Sequence, residues 1–219
     1  MIIVAGGSGT RMGSELPKQF IELEGKPILM HTLDALNSID SEMQLILVLP
    51  DSQMDFWEEL CTKHNWRVPH LLANGGTTRF LSVKSGLELA TGELVGVHDG
   101  VRPFVYADMV NRCFEAAGKS QTAVPVVPII QSLRQVDENG NSAVNRDDYR
   151  AVQTPQCFQT TVLKEAFAKA DRTDYSDDAT VVEANGGSIS MVEGDQENIK
   201  VTTPFDLQLG RLIIARRKP

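Results

Sequence analysis

The chain has 219 residues, is 42% hydrophobic and carries a formal net charge of -8. That is enough to bury one α/β core, and the wrong sign for a general nucleic-acid or membrane-surface binder, so phosphate-contacting cations should be few and locally concentrated. Cys61, Cys113 and Cys157 are odd in number, widely spaced and outside any CxxC arrangement, and no apolar run suits a signal peptide or a membrane span. The expectation is a cytoplasmic protein with reduced thiols and one domain over residues 1–219.

The first element is Ile2 to Ala5, a short apolar run that fits a buried parallel strand and stops at a pair of glycines. Gly6, Gly7 and Gly9 remove the Cβ atoms that would hold a ligand away from the main chain, so successive amide N–H groups can turn toward an anion. Arg11 and Lys18 add two positive charges beside those dipoles, and a polyphosphate is the anion that best fits such a cradle. A Walker A loop is excluded because no glycine is followed at the required spacing by Gly-Lys. A dinucleotide fingerprint starting at Gly7 would need a small residue where Met12 stands. A plain turn with Arg11 and Lys18 solvated remains the other reading of the glycines.

The longer pattern, GGxGxRMG followed by Pro17-Lys18-Gln19-Phe20, resembles that of the sugar-phosphate nucleotidylyltransferases. The PKQF continuation narrows the resemblance to the methylerythritol-phosphate cytidylyltransferase family. The resemblance implies a Rossmann-like, mostly parallel sheet flanked by helices, of the nucleotide-diphospho-sugar transferase type, with a protruding β-hairpin arm. It also implies that Ala5, Gly6, Gly7 and Gly9 wrap the triphosphate of CTP, with Arg11 and Lys18 on its phosphates.

Further along, Pro27 to Ile39 places Ile28, Leu29, Leu33 and Leu36 on one helical face. Gln44 to Leu49 is a second apolar run. Asp51 to His64 repeats Met54, Trp57, Leu60, Cys61 and His64 at helical spacing, with Asp51 as candidate N-cap and Trp57 and His64 as core or flank residues. Val68 to Ala73 reads as a third strand ending in Asn74-Gly75-Gly76, just before a helix over Thr78 to Ala90. Open α/β sheets bind ligands along that edge, although a simple strand-to-helix turn also accounts for the glycines. By the resemblance, Gly75, Gly76, Thr77, Arg79 and Ser82 lie against CTP, with Thr77 standing where an acidic residue is usual.

Leu94 to Val97 is a fourth apolar run, followed by His98-Asp99-Gly100-Val101-Arg102-Pro103. A carboxylate at the end of a central strand suits Mg²⁺, or another divalent cation, which takes oxygen ligands and keeps waters and nucleotide phosphates. A helix cap paired with Arg102 is the alternative for Asp99. The segment resembles the family's HDAARP motif, which implies Asp99 between metal and substrate and Arg102 toward the substrate phosphate.

Ala107 to Ala117 reads as a helix and Thr122 to Val127 as a fifth strand, after which the alternation breaks. Residues 129–150 are polar, and Asn139-Gly140 signals a two-residue hairpin turn. A polar hairpin has too little core to stand alone and is expected to pack on another chain. The resemblance implies a homodimer through this arm, with Ser132 and Arg146 contacting substrate in the neighbour's site; Ser132 stands where threonine is usual and Gln131 where an aspartate is.

Ala151 to Phe158 resembles the family's TPQ segment and places Thr154 near the site, while a plain turn at Pro155-Gln156 also fits. Helices at Thr160 to Ala170 and Ser176 to Asn185 and a strand at Ile189 to Glu193 follow. Asn198-Ile-Lys-Val-Thr-Thr-Pro204 resembles the NIKVTxP motif, implying Lys200 at the α-phosphate, supported by Thr202; the alternative is a solvated edge lysine. Phe205 to Arg217 closes the chain as a helix, with Arg216-Arg217-Lys218 as a solvated tail.

The chemistry explains these residue types. When a phosphomonoester oxygen attacks the α-phosphorus of a nucleotide, a dianion approaches a group already negative, so the site needs cations and alignment rather than a strong base. Arg11, Lys18 and Lys200 with Mg²⁺ suit that task, and no Ser-His-Asp or Cys-His nucleophile arrangement is evident. The resemblance implies direct transfer from CTP to 2-C-methyl-D-erythritol 4-phosphate in the non-mevalonate isoprenoid pathway. Ribitol 5-phosphate is the alternative acceptor, and a nucleotide-binding sensor is the non-enzymatic alternative.

Overall fold

The computed structural model describes residues 1–7 and 16–217; the expectations placed on Gly9, Arg11 and Lys218 lie outside the described residues. After β1 (Ile2–Val4) and a 3₁₀ turn at Lys18–Phe20, the ribbon β2 (Glu22–Leu23) and β3 (Lys26–Pro27) leads into α1 (Ile28–Ile39). Next come β4 (Ile46–Leu49), a 3₁₀ turn at Asp51–Gln53, α2 (Met54–Lys63), β5 (Leu71–Asn74), α3 (Arg79–Leu89), β6 (Leu94–Asp99), α4 (Ala107–Ser120) and β7 (Thr122–Pro128). The hairpin β8 (Leu133–Asp137) and β9 (Gly140–Val144) precedes β10 (Arg150–Val152) and β11 (Gln156–Gln159), and α5 (Thr160–Lys169), α6 (Asp178–Ala184), β12 (Met191–Glu193) and α7 (Pro204–Arg217) follow.

The main sheet runs β10-β7-β11-β6-β1-β4-β5, with β12 also paired to β7. β1 is parallel to β4 and β6, and β4 to β5, whereas β11 is antiparallel to β6 and β7. The strands read as unbroken apolar runs because both faces are covered. Ile3, Leu47 and Leu49 pack toward Leu33, Leu36, Trp57, Met109 and Cys113 on one face, and Ile2, Ile46 and Val48 toward Phe80, Val83, Leu163, Phe167 and Val181 on the other. Each such buried aliphatic side chain contributes roughly 1.5–3 kcal/mol. The packing brings the carboxyl ends of β1, β4, β5 and β6 to one edge: Val4 stands opposite Val48 and Asp99, and Leu49 opposite Asn74. Among the described residues no helix is long and apolar enough to cross a membrane.

Three local expectations are corrected. Asp51 caps no helix: Pro50 precedes a 3₁₀ turn at Asp51–Gln53, and α2 starts only at Met54. In the arm, Asp137 pairs with Gly140, so the loop residues are Glu138 and Asn139. The Asp137 carboxylate accepts from the Asn139 amide at 2.8 Å, a local turn that shifts Gly140 to the strand position with φ +133°. Finally, Arg216 is solvated, its side chain 78% exposed, but Arg217 is held against the body of the protein. The Arg217 guanidinium lies 4.0 Å from the centre of the Tyr106 ring, and Arg216 and Arg217 approach the Glu197 carboxylate at 3.0 and 3.5 Å. Tyr106 supplies the π face and Glu197 the charge that hold Arg217.

Candidate active site

At the end of β1, the Ala5 amide donates to Val48 O at 3.1 Å, and the chain turns outward at Gly6 and Gly7. The buried Gln19 carboxamide holds this turn to the 3₁₀ segment, donating from Nε2 to Ala5 O at 2.6 Å and to Gln53 Oε1 at 2.7 Å. Lys18 thereby lies along the main chain of Gly7: a Cβ there would stand 3.0 Å from Lys18 Cε and 3.2 Å from Nζ, so glycine permits the approach.

At the end of β5, Gly75 N donates to Leu49 O at 2.7 Å and Gly76 follows. A Cβ on Gly76 would stand 2.3 Å from the Cβ of Leu81, which excludes any larger residue without movement of the turn. Ser82 fastens this turn, its hydroxyl accepting from Gly76 N at 3.1 Å and donating to Thr78 O at 2.9 Å, while Thr78 caps α3 by accepting from Leu81 N at 3.2 Å.

Arg79, the first residue of α3, forms a two-pronged pair with Asp178 at 2.9 and 2.6 Å, and the Asp178 side chain is only 1% exposed. Desolvation acts to lower the pKa of Arg79, but the charges of Asp178, Asp99 and Asp177 outweigh it, so the guanidinium is held firmly charged.

Asp99 ends β6. Lys200 Nζ and Arg102 Nε both lie 3.1 Å from its Oδ2. Burial acts to raise the carboxyl pKa, but Lys200, Arg102 and Arg79 together overcome it and hold Asp99 well below the usual carboxylate range. Lys200 arrives from the loop after β12, which Val201 N ties to Val101 O at 2.9 Å. Its segment is a loop, not a strand edge.

The resulting cleft is lined by Ala5, Gly6, Gly7, Lys18, Gly76, Thr77, Arg79, Ser82, Asp99 and Lys200, all of them positions anticipated from the sequence, together with Val4, Gln19, Thr78 and Val101. The other anticipated residues that are described do not line it. Gly75 backs onto Leu49. Arg102 lies behind Asp99 and donates from Nη1 to Asn198 O at 2.8 Å. Thr154 is buried, with its hydroxyl engaged by the Asp99 amide and by His98. Thr202 turns toward the start of α7, where its amide and hydroxyl donate to Asp206 Oδ2 at 2.8 and 3.0 Å. Ser132 and Arg146 sit on the exposed arm segment, with Arg146 Nη1 donating to Ile130 O at 2.5 Å. Sequence reasoning singled out neither Gln19 nor Asp178. Gln19 stands inside the PKQF string, a usable signal, whereas Asp178 is 99 positions from Arg79 and only the fold joins them.

A glycine turn at each of two strand ends, with cations gathered round one carboxylate between them, defines a cleft of the nucleotide-transferring class. The family model described as IspD, 2-C-methyl-D-erythritol 4-phosphate cytidylyltransferase, matches residues 1–216. The 2-C-methyl-D-erythritol 4-phosphate cytidylyltransferases of Bacteroides thetaiotaomicron and Bacteroides fragilis are similar at 51% and 50% identity, covering 98% and 97% of this chain and 98% of each relative. Among solved structures, the enzyme of that description from Thermus thermophilus superimposes with a TM-score of 0.82 at 34% identity, over 98% of both chains. The chain belongs to the 2-C-methyl-D-erythritol 4-phosphate cytidylyltransferase family.

Proposed function

We infer that this protein transfers the cytidylyl group of CTP to 2-C-methyl-D-erythritol 4-phosphate and releases pyrophosphate, in the non-mevalonate supply of isoprenoid precursors. The observation that carries the chemistry is the convergence of Lys200 and Arg102 on Asp99 Oδ2 at the edge where Lys18 lies along Gly7. An acceptor phosphate is already largely ionised at neutral pH, so the barrier is repulsion and alignment. Lys18 and Arg11 suit the triphosphate, and Lys200 suits the α-phosphate, where its charge offsets what accumulates as the new P–O bond forms and the bond to pyrophosphate breaks. In this reading Asp99 holds Lys200 in place until phosphate competes for it, and Arg102 steadies Asp99 from behind. Gly75, Gly76, Thr77, Arg79 and Ser82 shape the nucleoside end, and Thr202 secures the start of α7 behind Lys200.

Mg²⁺, or another divalent cation, fits this donor set. Among the described residues no group of three metal-ligating side chains gathers, and the cleft offers the hard oxygen of Asp99, the sparse protein ligation Mg²⁺ uses when nucleotide phosphates and waters supply the rest. Both ion pairs of Asp99 are made through Oδ2, so Oδ1 is the oxygen that would take a cation. The metal would supply charge neutralisation on the phosphates.

The experiment is pyrophosphate release with CTP and Mg²⁺, run in parallel with methylerythritol phosphate and ribitol phosphate. Strong preference for the first is expected; release with ribitol phosphate alone would reassign the acceptor, and no release with either would favour a nucleotide sensor.

A cytoplasmic homodimer built through the arm belongs to the same reading. It is supported by β8 and β9 pairing, among the described residues, only with each other, and by Ile130 and Val136 standing 69% and 75% exposed. In such a dimer Ser132 and Arg146 would serve the neighbour's cleft. Lys18→Ala and Arg146→Ala, each impaired alone, should then complement when mixed and re-equilibrated: half the dimers are mixed, each with one intact site, giving about a quarter of wild-type activity. Absence of any recovery, with subunit exchange verified by mass, would place Arg146 outside the partner's site.

A further inference from the structure

The main chain that carries Asp99 is fastened from behind by buried polar side chains that do not line the cleft. His98, Thr154 and Asn198 are all buried. Thr154 Oγ1 accepts from the Asp99 amide at 3.1 Å and lies 3.1 Å from His98 Nδ1. His98 Nε2 lies 3.0 Å from the Arg102 carbonyl. A carbonyl only accepts, so Nε2 carries the proton, and the fully buried ring, set between that carbonyl and the Thr154 hydroxyl, leaves Nδ1 as an acceptor. The single Thr154 proton therefore goes to His98, and an oxygen lone pair takes the Asp99 N–H. Asn198 closes the arrangement: its Nδ2 donates to Thr154 O at 2.8 Å, and its main-chain carbonyl accepts from Arg102 Nη1 at 2.8 Å. It stands two residues before Lys200. The strand end bearing Asp99, the side chain of Arg102 and the loop of Lys200 are thus joined through one buried set of hydrogen bonds.

We propose that His98 and Thr154 are positioning residues of the transfer reaction. His98 sets the direction of the Thr154 hydroxyl, and that hydroxyl sets the Asp99 main chain, and with it the carboxylate shared by Lys200 and Arg102, without either residue touching a ligand. The proposal rests on the reaction inferred above and assigns Thr154 a different role from the substrate contact implied by the family resemblance. A hydroxyl with both its donor and one acceptor direction spent inside the protein has little left for a substrate. Its loss frees a buried amide and lets the carboxylate drift, and misplacement of about 1 Å costs about 100-fold in rate.

The test compares Thr154→Val, which keeps the shape and removes the hydroxyl, with Thr154→Ser, which restores it, reading kcat, both KM values and hydrogen exchange at the Asp99 amide. Thr154→Val should lower kcat by about 10- to 100-fold with KM for the acceptor within about threefold, and Asp99 exchange should quicken by about tenfold or more. Thr154→Ser should return all three toward wild type. A raised acceptor KM at unchanged kcat would make Thr154 a ligand contact and overturn the proposal, as would unchanged exchange. Should Thr154→Val fail to fold, His98→Asn, which can keep an acceptor toward Thr154, is compared with His98→Leu. The first should retain about tenfold more kcat, and equal losses would refute the positioning role. Wild-type protein without pyrophosphate release would count against the reaction itself, while the exchange measurement still decides the link from Thr154 to Asp99.

Discussion

Lys200→Ala is expected to lower kcat for pyrophosphate release by about two to three orders of magnitude and to leave the melting temperature nearly unchanged. The Lys200 side chain is 41% exposed and its ion-pair partner is Asp99, so the fold loses little with it. The reaction loses a positive charge that does not have to reorganise. The loss would not come from neutralising Asp99. Lys200 is one of three cations holding that carboxyl down, and Arg102 and Arg79 remain. A depressed carboxylate keeps its charge as long as the pH stays above its folded-state pKa, so Asp99 stays anionic through the neutral range. Single-turnover measurements with saturating CTP separate this from weaker binding: a mainly kcat effect puts Lys200 in the transition state, and a mainly KM effect puts it in the ground state. Near-wild-type turnover would remove Lys200 from the chemistry.

The cleft was legible where function is written into main-chain geometry. Ile2 to Ala5 ending in glycines, Asn74-Gly75-Gly76 before a helix, and Asp99 closing an apolar run each mark the carboxyl end of a buried strand, and the fold brings those ends to one edge. What the sequence does not carry is the direction of side chains. Thr154 and Thr202 stand in motif positions, yet one hydroxyl turns to the Asp99 amide and the other to Asp206, because a buried hydroxyl goes to the nearest unmet backbone or carboxylate group. Long-range pairing is also invisible. Asp177 and Asp178 are adjacent and alike, but Asp177 caps α6 by accepting from Thr180 N at 3.0 Å, and Asp178 faces the cleft arginine. The antiparallel strand β11 was hidden for a related reason. The sequence there offers a motif segment or a plain turn at Pro155-Gln156, and the strand character of Gln156–Gln159 depends on β6 and β7 flanking them.

Arg79→Ala is expected to cost about 3–5 kcal/mol of folding stability, because it strands a carboxylate that is 1% exposed. For a chain of this length that is a fall of roughly 6–20 °C in Tm. Asp178 cannot turn to water. Its amide and that of Ala179 donate to Gln156 Oε1 at 3.1 and 2.9 Å, which fixes the first turn of α6 in place. The paired substitution Arg79→Met with Asp178→Leu should recover most of the loss, since two apolar groups of similar volume leave no charge to desolvate. CTP binding then divides the two roles of Arg79. If the guanidinium also contacts the nucleotide from the cleft, the double variant will be stable yet bind CTP weakly. If Arg79 only seats α3 against α6, the double variant will recover both stability and CTP affinity, and the nucleoside end of the cleft must be read from Gly76, Thr77 and the turn that Ser82 holds.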